Sequence, residues 1–193
     1  MLYDKDIREP LFEFLEEKCG KIRIIEEKQM GRSRADVIMV MPSKLVGLEI
    51  KSDADTYARL KRQVKDYDKF YDKNYIVAGS KHIAHIDEHI PEYWGIISVE
   101  LIGNKVDFLM VREAKDNPKV KLKSKIEILW RPELAHIQEI NNMPKYKQKS
   151  KGFVKEQILQ RVPENILNEQ ISEELFERDY NEIGKMIKEF KGK

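Results

Sequence analysis

Residues 31–67 read GRSRADVIMVMPSKLVGLEIKSDADTYARLKRQVKDY, and the way this stretch pairs with itself decides the fold. Two nearly unbroken apolar runs, 35–41 and 45–51, flank Pro42, Ser43 and Lys44, a spacing that predicts an antiparallel hairpin with a short loop. With the turn centred near Pro42 and Ser43, paired positions sum to about 86, which sets Asp36 opposite the segment 49–51. Side chains alternate across a strand, so Glu49 and Lys51 share one face and Ile50 takes the other. Charges at the ends of otherwise apolar strands cost free energy unless they are paired or bind a cation.

The chemistry these residues allow is specific. Two carboxylates, Asp36 and Glu49, with the backbone carbonyl of Ile50, are hard oxygen ligands suited to Mg²⁺ or Mn²⁺. Lys51 beside them is placed to orient or help deprotonate a water, or to neutralise phosphate charge. The plainer alternative is an exposed polar edge at Glu49 and Lys51, with Asp36 in a turn. The segment 55–72 predicts a helix opened by Asp55 or Thr56, on which Arg59, Gln63 and Tyr67 fall at i, i+4 and i+8 and so on one face. That face holds a guanidinium, an amide and a phenol close to the end of the preceding strand. Tyr67 in the core with Arg59 and Gln63 in solvent is the alternative.

Working outward, 4–18 predicts an amphipathic helix, with Pro10 tolerable only in its first turn. A short strand at 22–25 runs into Glu26 and Glu27, and 31–34 form a polar turn. YIVAG at 75–79 predicts a buried strand. A short helix over 81–90 follows, and then two strands joined at Gly103-Asn104. The element order is α-β-β-β-α-β, an α/β chain with a mixed sheet. IEILW at 126–130 is ambiguous between strand and helix start, and a helix covers 133–140. A lysine-rich linker at 141–152 leads to a helical extension over 153–193, in which Ile183, Met186 and Ile187 continue the helical spacing. Three regions follow: a domain over 1–140, the basic linker, and the helical extension.

A chain of 193 residues with 41% hydrophobic and 36% charged residues can bury a full core, which excludes disorder throughout. It has no apolar run of membrane-spanning length and no secretory leader, which gives a cytoplasmic expectation. Cys19 stands alone, so neither an internal disulfide nor a cysteine zinc cage is available. Residues 1–114 carry 19 Lys+Arg against 21 Asp+Glu, 115–155 carry 11 against 4, and 156–193 carry 6 against 9, so one segment is basic. Within it Lys119, Lys121, Lys123 and Lys125 are either the solvated face of a strand or phosphate contacts. His82, His85 and His89 fall on one side of a helix, but no cysteine or carboxylate completes a familiar zinc site. Trp94 reads as a core aromatic. No glycine-rich phosphate cradle is present.

Arg34-Ala35-Asp36, Glu49-Ile50-Lys51 and Gln63-x-x-x-Tyr67 together resemble the motifs of the PD-(D/E)XK, or restriction-endonuclease-like, nuclease superfamily, the helix motif being similar to that of its RecB-like branch. PEYWGII and ILWRPEL also look like small stand-alone bacterial and phage members. The resemblance covers residues 1 to about 135. It implies an αβββαβ core with a C-terminal helical extension, and a metal-dependent nuclease acting on DNA in repair, recombination, phage DNA processing or defence. In that pattern Asp36 and Glu49 are metal ligands with the Ile50 carbonyl, Lys51 is the water-associated base, and Gln63 and Tyr67 support them. A further acid comes from the first helix or strand; Glu26 is preferred over Glu9 and Glu13. Ala35 replaces the motif's proline. Arg34, Arg59, Lys121 and Lys123 are the expected nucleic-acid contacts, RNA remains open as a substrate, and a homodimer is a possible assembly. A catalytically inactive nucleic-acid-binding or regulatory protein on the same fold is the alternative.

Overall fold

The computed structural model describes residues 2–179. The chain runs α1 (Asp4–Cys19), β1 (Arg23–Met30), β2 (Ser33–Met41), β3 (Lys44–Lys51), α2 (Leu60–Phe70), β4 (Lys73–Gly79), α3 (Ser80–Ile83), β5 (Gly95–Ile102), β6 (Lys105–Arg112), α4 (Leu122–Lys125), α5 (Arg131–Ile140), α6 (Lys151–Arg161) and α7 (Glu164–Phe176), with 3₁₀ turns at Ile86–Glu88 and Ile126–Ile128. The six strands lie in sequence order in one sheet. β1, β2 and β3 are antiparallel, β3, β4 and β5 parallel, and β6 returns antiparallel to β5 through Gly103-Asn104. This is the mixed α/β architecture expected, with helices on both faces and a helical C-terminal part.

Strand alternation sorts the apolar residues into two cores. Ile38, Val40 and Leu45 join α2, α5, α6 and α7 on one face, where Val154, Ile158, Leu167, Ile171 and Leu175 are buried. Val37, Met39, Val46, Leu48 and Ile50 meet Ile7, Leu11 and Leu15 of α1 on the other. The helices beyond the lysine-rich segment therefore pack on the sheet and share its core. Ile183, Met186 and Ile187 lie outside the described residues. No helix among the described residues is long and apolar enough to cross a membrane.

Several local expectations shift. Met41 pairs with Lys44 around a two-residue loop in which Ser43 takes φ 59°, so paired positions sum to 85 and Asp36 falls in register with Glu49. The β1–β2 turn is only Gly31 and Arg32, because both strands extend further than their apolar parts. Pro10 lies in the second turn of α1, beyond the first-turn position expected for it. α2 begins at Leu60 because the Asp55 carboxylate is spent on the Ser52 amide and hydroxyl, at 2.9 and 2.6 Å, and 52–59 stays a loop. Residues 119–125 are no strand: Lys125 is buried, donating to both Asp72 oxygens and to Asn168 at 2.7–2.9 Å.

Gly47 marks where α2 presses on β3. A Cβ there would stand 2.4 Å from Tyr71 Cδ2 and 2.6 Å from Tyr67 Cδ1, both on rings held rigidly in the core. Gly47→Ala should therefore cost about 2–3 kcal/mol through overpacking and lower the melting temperature by roughly 5–10 °C. An unchanged melt would mean that α2 does not seat on β3 in this way.

Candidate functional site

The β2–β3 ladder ends at Val37–Leu48, one step before Asp36 and Glu49. From there the sheet forks, β2 staying with β1 to Met30–Ser33 and β3 staying with β4 to Lys51–Ala78. Side chains satisfy the backbone groups at the fork. Asp36 Oδ2 accepts from the Ile50 amide at 2.9 Å. The Tyr67 hydroxyl accepts from the Asp36 amide at 3.1 Å and donates to the Leu48 carbonyl at 3.0 Å. A cleft of about 440 Å³ opens at the fork between α1 and α2, lined by Asp36, Glu49, Ile50, Lys51, Arg59 and Gln63 of the expected set, and by Arg34 at its rim.

Glu49 and Lys51 are almost fully buried, at 1% and 3% exposure. Lys51 Nζ donates to Glu49 Oε1 at 2.6 Å and to Gln63 Oε1 at 3.2 Å, and the Gln63 amide donates to the same Glu49 oxygen. Glu49 Oε2 has no hydrogen-bond partner although it is buried. Burial, and then the charge of Glu49, push the Asp36 carboxyl up to about 7, against the opposing pull of the Ile50 amide and Lys51. Burial and the neighbouring carboxylate thus both disfavour the charged form of Asp36, and Glu49 Oε2 lacks an internal donor. The donor set fits a hard divalent cation held by Asp36, Glu49 and the Ile50 carbonyl. Among the described residues no three His, Cys, Asp or Glu side chains form a ready cage, so water or substrate oxygens would complete the shell.

Tyr67 is brought to the site but does not line it. It is fully buried, its phenol is pushed well above its ordinary value by burial, and it works as a proton-holding bridge between the diverging strands. Glu26 also misses the cleft: it is exposed and pairs with Arg8 at 3.1 Å. Glu27 takes the place expected for Glu26, because the β1–β2 ladder skips it and its φ is 51°. Even so, its carboxylate is engaged by Arg34 at 3.0 Å and Arg8 at 3.5 Å. Glu9 and Glu13 are exposed on α1, outside the cleft lining.

Lys121 and Lys123 stand at the far end of α2. Lys121 is linked there by its amide to the Lys69 carbonyl, and Lys123 is paired with Glu156 at 2.7 Å. The three histidines make different contacts: His82 is buried with Nε2 3.0 Å from the Ser52 carbonyl, His82 and His89 pack against the Tyr57 ring, and His85 pairs with Glu88. Trp94 is core, its indole donating to Asp68 at 2.9 Å.

The residues that sequence reasoning missed are chiefly Arg8, Arg32 and Arg62, which join the expected Arg34 and Arg59. Arg8, Arg32, Arg34, Arg59 and Arg62 all line the cleft, five of the ten arginines in the chain, against one of 26 lysines. Such enrichment selects for the planar fork that binds phosphate or carboxylate oxygens in pairs. Arg8 is held by Asp4 at 2.7 Å, whereas Arg32, Arg59 and Arg62 make no ion pair among the described residues. The signals were there: Arg32 in the β1–β2 turn and Arg34 at the start of β2 are two apart, and Arg59 and Arg62 are three apart at a helix start.

The protein is thus an α/β chain whose mixed sheet forks at an acid pair and a buried lysine, inside an arginine-lined cleft. The chain belongs to the bacteriophage P4 protein cII family, whose model matches residues 1–189. No curated protein matches it. Among solved structures, SfsA of Pyrococcus furiosus in complex with Ca²⁺ is similar at a TM-score of 0.34 and 16% identity, over 57% of this chain and 60% of that chain. The chain thus spans about three fifths of that protein's length.

Proposed function

We propose that the cleft binds the phosphodiester backbone of nucleic acid, DNA in the first instance, and hydrolyses it with the help of a divalent cation. The observation that carries this reading is the convergence of Asp36, Glu49 and Lys51 from two strand ends in one cleft with five arginines. The motifs around Asp36, Glu49-Ile50-Lys51 and Gln63 resemble those of PD-(D/E)XK nucleases, which supports it. Mg²⁺ or Mn²⁺ held by Asp36, Glu49 and the Ile50 carbonyl would supply a Lewis acid for the phosphoryl oxygen and a bound water of lowered pKa. Arg32, Arg59 and Arg62 grip the phosphate oxygens and fix the backbone in the cleft. Lys51 stands against both Glu49 and Gln63, so its ammonium offsets charge on the acid pair and on the phosphate being attacked. Gln63 fixes the rotamer of Glu49.

A second reading, binding without hydrolysis, is favoured by one observation: each acid already has an internal partner, Asp36 the Ile50 amide and Glu49 the Lys51–Gln63 pair. A substrate panel of supercoiled, linear, nicked, branched and single-stranded DNA, and RNA, incubated with Mn²⁺ or Mg²⁺, separates the two. Hydrolysis of at least one form that is lost in Glu49→Gln is expected. Tight binding of nucleic acid with no cleavage of any form under either metal would replace the first reading by the second.

A further inference from the structure

Helix α2 carries a feature that extends beyond the cleft. Its four exposed residues, Lys61, Arg62, Lys65 and Lys69, are all basic, and both of its acids, Asp66 and Asp68, are buried. Asp66 accepts from the Ser33 hydroxyl at 2.6 Å, and Asp68 from the Trp94 indole at 2.9 Å and the Tyr93 hydroxyl at 2.6 Å, so their charge is directed inward. Their outward ties are Lys69 to Asp66 at 3.4 Å and Lys119 to Asp68 at 3.5 Å.

A merely solvated helix face interleaves acids and bases at i, i+4, because like charges at that spacing destabilise the helix. Here Lys61, Lys65 and Lys69 follow one another at i, i+4, i+8. The first turn has no acid and no side-chain cap, but does have Lys61 and Arg62 against the positive end of the helix dipole. Local stability does not explain that arrangement, whereas an external polyanion does. The ridge is continuous with the cleft, since Arg59, Arg62 and Gln63 of the same helix start line it. At the other end, roughly 16 Å on, the ridge reaches exposed Lys121, whose amide is held by the Lys69 carbonyl at 2.9 Å.

We infer that the outer flank of α2, Lys61, Lys65 and Lys69, with Lys121 beyond it, is a track for the sugar-phosphate backbone of nucleic acid leading away from the cleft. This rests on the phosphodiester reading of the cleft and assigns the surface that holds the substrate outside it.

The test compares three full-length proteins: wild type, Lys61→Gln/Lys65→Gln/Lys69→Gln, and Arg32→Ala/Arg59→Ala/Arg62→Ala, each checked for folding by circular dichroism. Fluorescence anisotropy on a duplex of roughly 30 base pairs, across a salt series, gives the slope of log affinity against log salt, to which each lost phosphate contact contributes about 0.9. The lysine variant should flatten the slope by up to about 2.7 and weaken binding by tenfold or more at low salt. Its Mn²⁺-dependent hydrolysis of bis-p-nitrophenyl phosphate, which is too short to reach the ridge, should match wild type. An unchanged slope in the lysine variant, beside loss of binding in the arginine variant, overturns the track and leaves the cleft reading standing. Loss in the lysine variant with no effect of the arginine variant keeps the track and removes the cleft reading. Wild-type binding to phosphatidylserine vesicles in place of the duplex also overturns the track, since the polyanion would then be a lipid surface.

Discussion

Lys51→Met should destabilise the protein by about 3–5 kcal/mol, the cost typical of leaving one member of a buried ion pair alone. The side chains of Lys51 and Glu49 are 4% and 1% exposed and 2.6 Å apart, and Glu49 Oε2 already has no partner. Without the ammonium, Glu49 keeps only the Gln63 amide. Adding Glu49→Gln to Lys51→Met should return much of the lost stability, because the uncompensated charge goes with it. Denaturant unfolding of both single variants and the double variant gives the coupling directly, and additive losses would mean that the two groups do not act as a pair. On the proposed reading, hydrolysis falls by roughly 10²–10⁴-fold in each of the three proteins, so activity and stability separate in the double variant.

The second large effect is on the pH dependence of folding, through Asp36. Its carboxyl is pushed up to about 7 in the folded protein, by burial first and the Glu49 charge second, from an ordinary value of 3.8. The folded state therefore holds this proton more tightly than the unfolded chain does. Stability from this group is greatest below about pH 4, declines as pH rises towards 7, and is flat above it. At about 1.4 kcal/mol per unit of displacement, the decline amounts to about 2–4 kcal/mol in the metal-free protein. Asp36→Asn keeps an oxygen for the Ile50 amide and removes the charge, so its melting temperature should exceed wild type at pH 8 and lack the slope. A cation must displace the same proton, so stabilisation by Mn²⁺ should grow across the same window in wild type and vanish in the variant. Parallel pH profiles for the two proteins would sink this account of the site.

Much of this site is legible in residues 31–67, and the reason is physical. Charges at the ends of apolar strands are costly, so the polar groups of Asp36, Glu49 and Lys51 stand out against their apolar neighbours Val37, Leu48 and Ile50. The period of two sorts Glu49 and Lys51 onto the α2 side, and the period of 3.6 brings Gln63 over them. What the sequence conceals depends on backbone detail. The two-residue loop at Pro42-Ser43 moves the register by one, and the left-handed φ of Glu27 turns that residue, not Glu26, into the cleft. The start of α2 is hidden because Asp55, a good cap by type, closes the Ser52 turn instead. Tyr67 illustrates a different limit: helical spacing gives its face but not its depth, and depth makes it a bridge within the core. Lys119 to Lys125 alternate like a strand, yet Lys125 turns inward to Asp72, a tertiary contact that no local pattern announces.

The phenol wedged into the fork has one more consequence. Its ring is a spacer of fixed covalent length, anchored on α2 and tied at its tip to both diverging strands. The spacing of the two strands that carry the acids is thereby gauged from the helix.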